Sequence, residues 1–172
     1  MKALFIFTSI ILTSMTARAQ RPEAILAQKG IYLPVLQKPL GNYTSLVRTG
    51  NLIYLSGKGP LLEDGKYIVG KAGKDIDLKQ GYNAARLCGI AQLAALKTEL
   101  GELSKVKRII NVTGFVNSTE DFRDQPKVID GYSDLMAEVF GDCGTHARSA
   151  IGVASLPGGW SVEVAMVVEV EP

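Results

Sequence analysis

Apolar positions recur with a helical period in two stretches of this 172-residue chain. At the start of the first, Asp77-Leu78-Lys79-Gln80 has the form of a capping box, and Gly101 closes the apolar stripe. The second opens near Pro126, a residue suited to a first helical turn, and stops at Gly141. The pattern therefore predicts two long helices.

Short β-prone runs surround the two helical stretches. Residues 45–48 and 52–55 predict a hairpin around Thr49-Gly50-Asn51, and Ser56-Gly57-Lys58-Gly59-Pro60 is expected to break its second strand. Further strands are predicted at residues 66–69, 106–117, 147–153 and 161–171. The predicted order is β-β-β-α-β-α-β-β.

This order predicts an α+β domain over residues 41–172, with both helices on one face of a mixed sheet. A sheet covered on one side leaves an apolar face, which favours a homo-oligomer. Residues 20–40 hold three prolines and little periodicity, so we expect an irregular N-terminal arm there.

The first nineteen residues have the pattern of a signal peptide. Lys2 supplies a positive charge, residues 3–15 are apolar, and Ala17-Arg18-Ala19 gives the small-x-small motif that a signal peptidase recognises. A membrane anchor is the alternative, but an apolar core of about 13 residues is shorter than the roughly 20 that a spanning helix needs. We expect cleavage near Ala19 and export, to the periplasm.

Cleavage would change the charge balance of the chain. The full sequence has 19 Lys and Arg against 17 Asp and Glu, and Lys2 and Arg18 leave with the signal, so 17 of each sign remain. The mature chain therefore lacks the net positive charge that a nucleic-acid-binding surface requires.

Motifs for metals, nucleotides and nucleophilic triads are missing from the sequence. His146 is the only histidine, and a loop histidine beside a turn explains it better than a ligand does. Cys88 and Cys143 match no metal or redox spacing. They could pair in an oxidising compartment, but Cys88 lies in a helical pattern that would bury it, so we expect two free thiols.

The C-terminal third carries the most specific motif. An Ala-Arg-Ser run at residues 147–149 opens one strand, Leu156-Pro157 makes a turn, and Glu163 follows between β-branched residues. With these residues, and with Gly41-Asn42-Tyr43 and Leu55-Ser56-Gly57 upstream, the chain resembles the RidA/YjgF family of enamine/imine deaminases. The likeness extends over about residues 41–170, and is greatest to the subgroup that has an N-terminal extension.

The resemblance implies a chorismate-mutase-like (YjgF) fold and a homotrimer with sites at subunit interfaces. It also implies hydrolysis of 2-imino or 2-enamino acids to a 2-oxo acid and ammonia, without metal or cofactor. Arg148 would hold the substrate carboxylate, since a guanidinium can bind it through two parallel hydrogen bonds. Glu163 would orient a water or move a proton. Tyr43 would wall the pocket, and Ser56 would bind the amino acid end.

Each of these residues also has a structural explanation. Arg148 could pair with a surface acid, strand alternation could point Glu163 into solvent, and Tyr43 and Ser56 could be packing and turn residues. The chain departs from the family pattern at Ala150, Ala165 and Ile129, where many members have polar side chains.

Two other functions therefore stay open. The protein could be a non-catalytic trimer that binds small carboxylate metabolites. Ribonuclease activity is also attached by name to some relatives, and the balanced charge of the mature chain argues against it. For both the deaminase and the binding protein, the expected partner is a small carboxylate-bearing metabolite. We expect neither nucleic acid nor membrane to be bound after cleavage of the signal peptide.

Overall fold

The computed structural model describes residues 22–36 and 41–172. The predicted signal peptide, residues 1–19, lies outside these ranges, as do residues 20, 21 and 37–40 of the arm. Within the described ranges no helix is long and apolar enough to cross a membrane.

Five strands form one mixed sheet, and three helices accompany it. In chain order the elements are α1 Pro22–Gln28, β1 Leu46–Thr49, β2 Leu52–Lys58, α2 Leu78–Leu100, β3 Val106–Asn117, α3 Gln125–Phe140, β4 Ala147–Val153 and β5 Val162–Val170. The strand order across the sheet is β1-β2-β5-β3-β4. β4 is therefore an edge strand of the sheet. Among the described strands only β3 and β4 pair in parallel, and the crossover between them runs through helix α3.

Local signals in the sequence position the helices. The side chain of Asp77 accepts a hydrogen bond from the backbone N–H of Gln80, whose side-chain oxygen accepts one from the Asp77 N–H in return, so the capping box is present. Gly101 ends α2 with a φ of 78°. The α3 helix has Pro at its start and Gly141 at its C-cap.

Both long helices cover the same face of the sheet. α2 packs over β2 and β5, α3 packs over β3 and β4, and the helices pack against each other. Their close approach requires glycine, because a Cβ on Gly131 would stand 2.0 Å from the carbonyl oxygen of Tyr82. Alternate residues of β5 point into this layer, and Val162, Val164 and Met166 are buried there. The α+β architecture, with both long helices on one face of a mixed sheet, is confirmed.

Three sequence expectations were wrong in detail. Residues 66–69 form no strand of the sheet, because their only β contacts are the single-residue bridges Leu61–Tyr67 and Val69–Trp160. The arm is not wholly irregular, since α1 forms there and buries Leu26 in the core. The second hairpin strand does not break at residue 56 but continues to Lys58 through a β-bulge, so it ends only before Gly59-Pro60.

Candidate active site

Arg148 lies on edge strand β4, beneath helix α3. It is the register partner of Val112, which is fully buried, so both side chains are on the helix-covered face. Nη1 of Arg148 donates to Oδ1 of Asp130 at 2.8 Å and to Oγ of Ser133 at 3.0 Å. Two residues of one helical face therefore fix one end of the guanidinium.

The other edge of the Arg148 guanidinium is free. Its Nε and Nη2 have no hydrogen-bond partner among residues 22–36 and 41–172, and the side chain is 24% exposed. Nε–H and Nη2–H point in the same direction and form the fork that binds both oxygens of a carboxylate. Arg148 is thus held in place while its binding edge remains open to a ligand.

His146 extends this network behind Ser133. Nδ1 of His146 lies 2.6 Å from the carbonyl oxygen of Gly144, which can only accept, so Nδ1 carries the proton. Nε2 lies 3.1 Å from Oγ of Ser133 and accepts a hydrogen bond from the Ser133 hydroxyl group. The Ser133 oxygen is then left to accept from Arg148, and every hydrogen bond in the chain has a defined direction.

The neutral form of His146 is favoured by its surroundings. Burial lowers the pKa of His146, and the positive charge of Arg148 lowers it further, against an opposing effect of the Gly144 hydrogen bond. At neutral pH, Nε2 of His146 therefore accepts a hydrogen bond from Ser133, which in turn accepts one from Arg148; we call these three residues the relay.

Glu163 lies on the other face of the sheet. Its neighbours Val162 and Val164 are both fully buried under the helices, so alternation turns Glu163 towards the uncovered face. Partial burial raises the pKa of Glu163, and no cation among residues 22–36 and 41–172 contributes to that shift. A carboxylate of raised pKa without a fixed partner is suited to accepting and returning a proton.

The bulge in β2 accommodates Glu163. A Cβ on Gly57 would stand 1.9 Å from Oε1 of Glu163, so only glycine leaves room for this carboxylate. Beneath the bulge, the fully buried Gln92 donates from Nε2 to the carbonyl oxygens of Ser56 at 3.1 Å and Val164 at 2.8 Å. Gln92 thereby ties the bulge to the strand that carries Glu163.

Of the two remaining predicted residues, Ser56 is part of this bulge, and Tyr43 precedes the residue that Ser56 contacts. Oγ of Ser56 donates to the carbonyl oxygen of Thr44 at 2.6 Å, which leaves its lone pairs free to accept a hydrogen bond. Tyr43 precedes Thr44 directly and is 63% exposed. Ser56 therefore adjoins Gly57, the residue that lies against Glu163, and Tyr43 adjoins the residue that Ser56 contacts.

Arg148 does not join that group within one chain. Along β3, Arg148 is paired with Val112 and Glu163 with Phe115, three residues further on. An odd offset on an unbroken strand places two side chains on opposite faces. A single subunit therefore does not bring Arg148 and Glu163 into one pocket, and their meeting at a subunit interface stays a prediction.

The family positions at which this chain is apolar fall on both faces. Ala150 lies two residues beyond Arg148 on the same face of β4, and Ala165 two residues beyond Glu163 on β5. Ile129 is fully buried in the core, and the polar group that touches Arg148 comes from the next residue, Asp130. Arg148 thus has a polar partner on α3 although Ile129 supplies none.

Sequence reasoning missed Asp130, Ser133 and Gln92, and it named Gly57 only as part of a motif, not for its place against Glu163. The i, i+3 spacing of the first two on α3 was the only available signal. Both thiols are free, as expected, with Cys88 buried and Cys143 exposed. In the part of the chain that is described, no group of three or more His, Cys, Asp or Glu side chains could hold a metal ion.

Comparison with known proteins identifies the class. The family model described as "YjgF/chorismate mutase-like, putative endoribonuclease" matches residues 23–168. The chain therefore belongs to the YjgF/RidA family.

Among its relatives, protein TCP17 of Trypanosoma cruzi is 40% identical over 150 residues, covering 87% of this chain and 94% of TCP17. The 2-iminobutanoate/2-iminopropanoate deaminase of Dermatophagoides farinae is 28% identical over 142 residues, covering 82% of this chain and 95% of the deaminase. An Agrobacterium tumefaciens protein of unknown function has a similar structure, with a TM-score of 0.81, 41% identity and coverage of 87% and 94% of the two chains.

Proposed function

We propose that this protein is a homotrimeric hydrolase of 2-imino and 2-enamino acids, with each active site between two subunits. The reaction adds water to the C=N carbon, breaks the C–N bond and releases a 2-oxo acid and ammonia. Family membership and the imine deaminase among the relatives support the reaction type. No metal or cofactor is needed, because water and a proton acceptor suffice.

The observation that carries the proposal is the open fork of Arg148. Asp130 and Ser133 hold Nη1, and Nε and Nη2 remain available. An arginine already fixed in orientation loses little entropy when it binds a planar carboxylate, so binding by its fork is favourable. The substrate carboxylate lies one bond from the reacting carbon, and its orientation on Arg148 therefore determines where water must arrive.

Glu163 is the group proposed to handle that water. Its raised pKa brings its protonation closer to neutral pH, and a carboxylate can take a proton from water and return it to the leaving nitrogen. Ser56 can accept a hydrogen bond from the substrate nitrogen through its free lone pairs, and Tyr43 can close the pocket.

The need for a second subunit follows from the two faces of the sheet. Arg148 is on the helix-covered face, and Glu163 is on the uncovered one. The uncovered face presents an apolar surface, which we call the open face: Val47, Tyr54, Phe115, Ile151 and Val167. Packing of open faces around a closed three-fold axis would bury this surface. In the proposed trimer, edge strand β4 of one subunit, which carries Arg148, lies beside Glu163 of the next.

The experiment is a coupled assay. A serine/threonine dehydratase would generate the enamine in situ, and release of 2-oxo acid would be timed with the mature wild type, Arg148→Ala and Arg148→Lys. We expect wild type to accelerate release, Ala to abolish the effect, and Lys to restore little of it because it lacks the fork. Equal rates for wild type and Arg148→Ala would exclude the deaminase function.

A second candidate is a trimer that binds carboxylates without turning them over. The apolar side chains of Ala150 and Ala165, one beside each proposed site residue, favour it. The predicted export favours it too, since reactive enamines arise mainly from cytoplasmic pyridoxal-phosphate enzymes. Arg148-dependent binding of a 2-oxo acid with no acceleration in the coupled assay would identify this function.

A further inference from the structure

Asp130 places a negative charge beside the proposed carboxylate site. Its Oδ1 accepts from Nη1 of Arg148 at 2.8 Å, and its side chain is 47% exposed. Oδ2 has no hydrogen-bond partner among the residues that the structure describes. One oxygen of Asp130 is thus committed to Arg148 and the other faces open surroundings at the end of the guanidinium.

A carboxylate bound on the Arg148 fork would lie close to this second charge. The ion pair of Arg148 and Asp130 is neutral overall, so a plain carboxylate gains attraction from one partner and meets repulsion from the other. A ligand with a cationic nitrogen one carbon away from its carboxylate would instead match both charges.

We propose that Asp130 is the counter-ion of the substrate nitrogen, so that Arg148 and Asp130 together select zwitterionic 2-iminium acids over plain carboxylates. This inference rests on the proposed function. A carboxylate beside the C=NH₂⁺ group favours the protonated imine, which is the form that water attacks more readily. The oxygen of water then bonds to carbon, while Glu163 takes one water proton and passes it to the nitrogen. When the C–N bond breaks, the nitrogen leaves as ammonia and Glu163 takes the proton of the hydroxyl group that becomes the C=O of the 2-oxo acid.

A purely structural role for Asp130 predicts something different. If Asp130 only orients Arg148, its loss should weaken every ligand that Arg148 holds. Ser133 offers the matched control, because it binds the same Nη1 atom at 3.0 Å and carries no charge. Asp134 controls for the loss of an acid on the same helix, since its carboxylate accepts from the Tyr82 hydroxyl instead.

The test is calorimetric titration of the mature protein with two small ligands at neutral pH. Pyruvate carries only the carboxylate, and L-alanine adds a cationic nitrogen with the charges of an iminium acid. Asp130→Asn should weaken alanine binding by roughly tenfold and leave pyruvate equal or tighter, the size expected for one partly screened charge pair. Ser133→Ala should weaken both ligands alike, and Asp134→Asn should change neither.

Several results would overturn the inference. Asp130→Asn could weaken both ligands by the same factor, could change neither, or wild type could bind pyruvate and not alanine. In these cases Arg148-dependent binding of pyruvate would leave the proposed function intact. Absence of any Arg148-dependent binding by wild type would instead overturn the proposed function and this inference with it.

Discussion

Gly57 lies against the carboxylate of Glu163, so closely that a Cβ added at residue 57 would stand 1.9 Å from Oε1 and 2.8 Å from Cδ. The two residues are on neighbouring strands, and the bulge in β2 brings them together. Gly57 is not among the glycines with positive φ, so its backbone would accept alanine. The absence of a side chain at residue 57 therefore allows the Glu163 carboxylate to take its position.

Gly57→Ala should reduce deamination while the fold is kept. The added methyl group meets a flexible side chain, which can move, but the moved carboxylate would no longer reach the water. The loss should approach that of Glu163→Ala, about 10²- to 10⁴-fold for a general acid–base group. Rates and circular dichroism of both single variants and the double variant check this. A further loss in the double variant beyond Glu163→Ala would show that Gly57 acts independently.

Glu163→Gln should stabilise the protein at neutral pH. Because burial raises the pKa of Glu163 above 4.5, its ionised form costs more in the folded chain than in the unfolded one. Protonated Glu163 is therefore favoured in the folded chain. Its contribution to the free energy of unfolding is complete below about pH 4.5 and is lost as the pH rises through the raised pKa. Urea unfolding should show Glu163→Gln more stable than wild type at pH 7 and equal to it at pH 4.

Glu169 is the control for that measurement. It lies on the same strand, but the hydrogen bond from Lys107 lowers the pKa of Glu169. Glu169→Gln should therefore give no stabilisation at pH 7. Stabilisation by both substitutions would assign the effect to a loss of surface charge rather than to the burial of Glu163.

Acid should weaken the binding of a 2-oxo acid through His146. Its pKa is lowered, so the neutral form persists below pH 6.5 and is lost as the pH falls through the lowered pKa. A proton on Nε2 would make His146 a second donor towards Ser133 Oγ, in competition with the hydrogen bond from Arg148. Asp130 would then be the partner that still holds the guanidinium, so its orientation would be less well fixed. Titrations from pH 7.5 to 5 should show weakening in wild type and a flatter profile in His146→Phe. Identical profiles would contradict the relay.

Export should remove the first nineteen residues. Expression of the full chain in a bacterial host, followed by mass determination of the periplasmic protein, should give a chain that starts at Gln20. Ala19→Arg should block the cleavage, because the peptidase requires a small residue there. Recovery of the full-length chain in the cytoplasm would contradict the signal-peptide prediction.

Local signals explain why so much of the fold could be predicted from the sequence. The capping box at Asp77 and the closing glycines Gly101 and Gly141 act within one helical turn, so helix ends were correct to about a residue. Strand β3 was also correct, at Val106–Asn117. Errors arose where distant contacts decide, as at Val69, which pairs with Trp160 in a single bridge rather than a strand.

The site was only half predictable for the same reason. Arg148 and Glu163 stand in a motif, but nothing in their spacing shows that the sheet separates them by its two faces. Asp130 and Ser133 reach Arg148 only because α3 packs over β4, a long-range contact that one sequence does not encode visibly. Residues 56–60 were interpreted as a strand break because glycine and proline weaken strands, but β2 continues through a bulge to Lys58.

Subunit complementation tests the central claim most directly. Arg148→Ala and Glu163→Gln chains would be co-expressed with different tags, and trimers containing both would be purified and assayed. If each site takes Arg148 from one subunit and Glu163 from the next, every mixed trimer has one junction at which both residues are intact. Two inactive chains should therefore yield roughly a third of the wild-type rate per trimer. Mixed trimers as inactive as either parent would contradict a site shared between subunits.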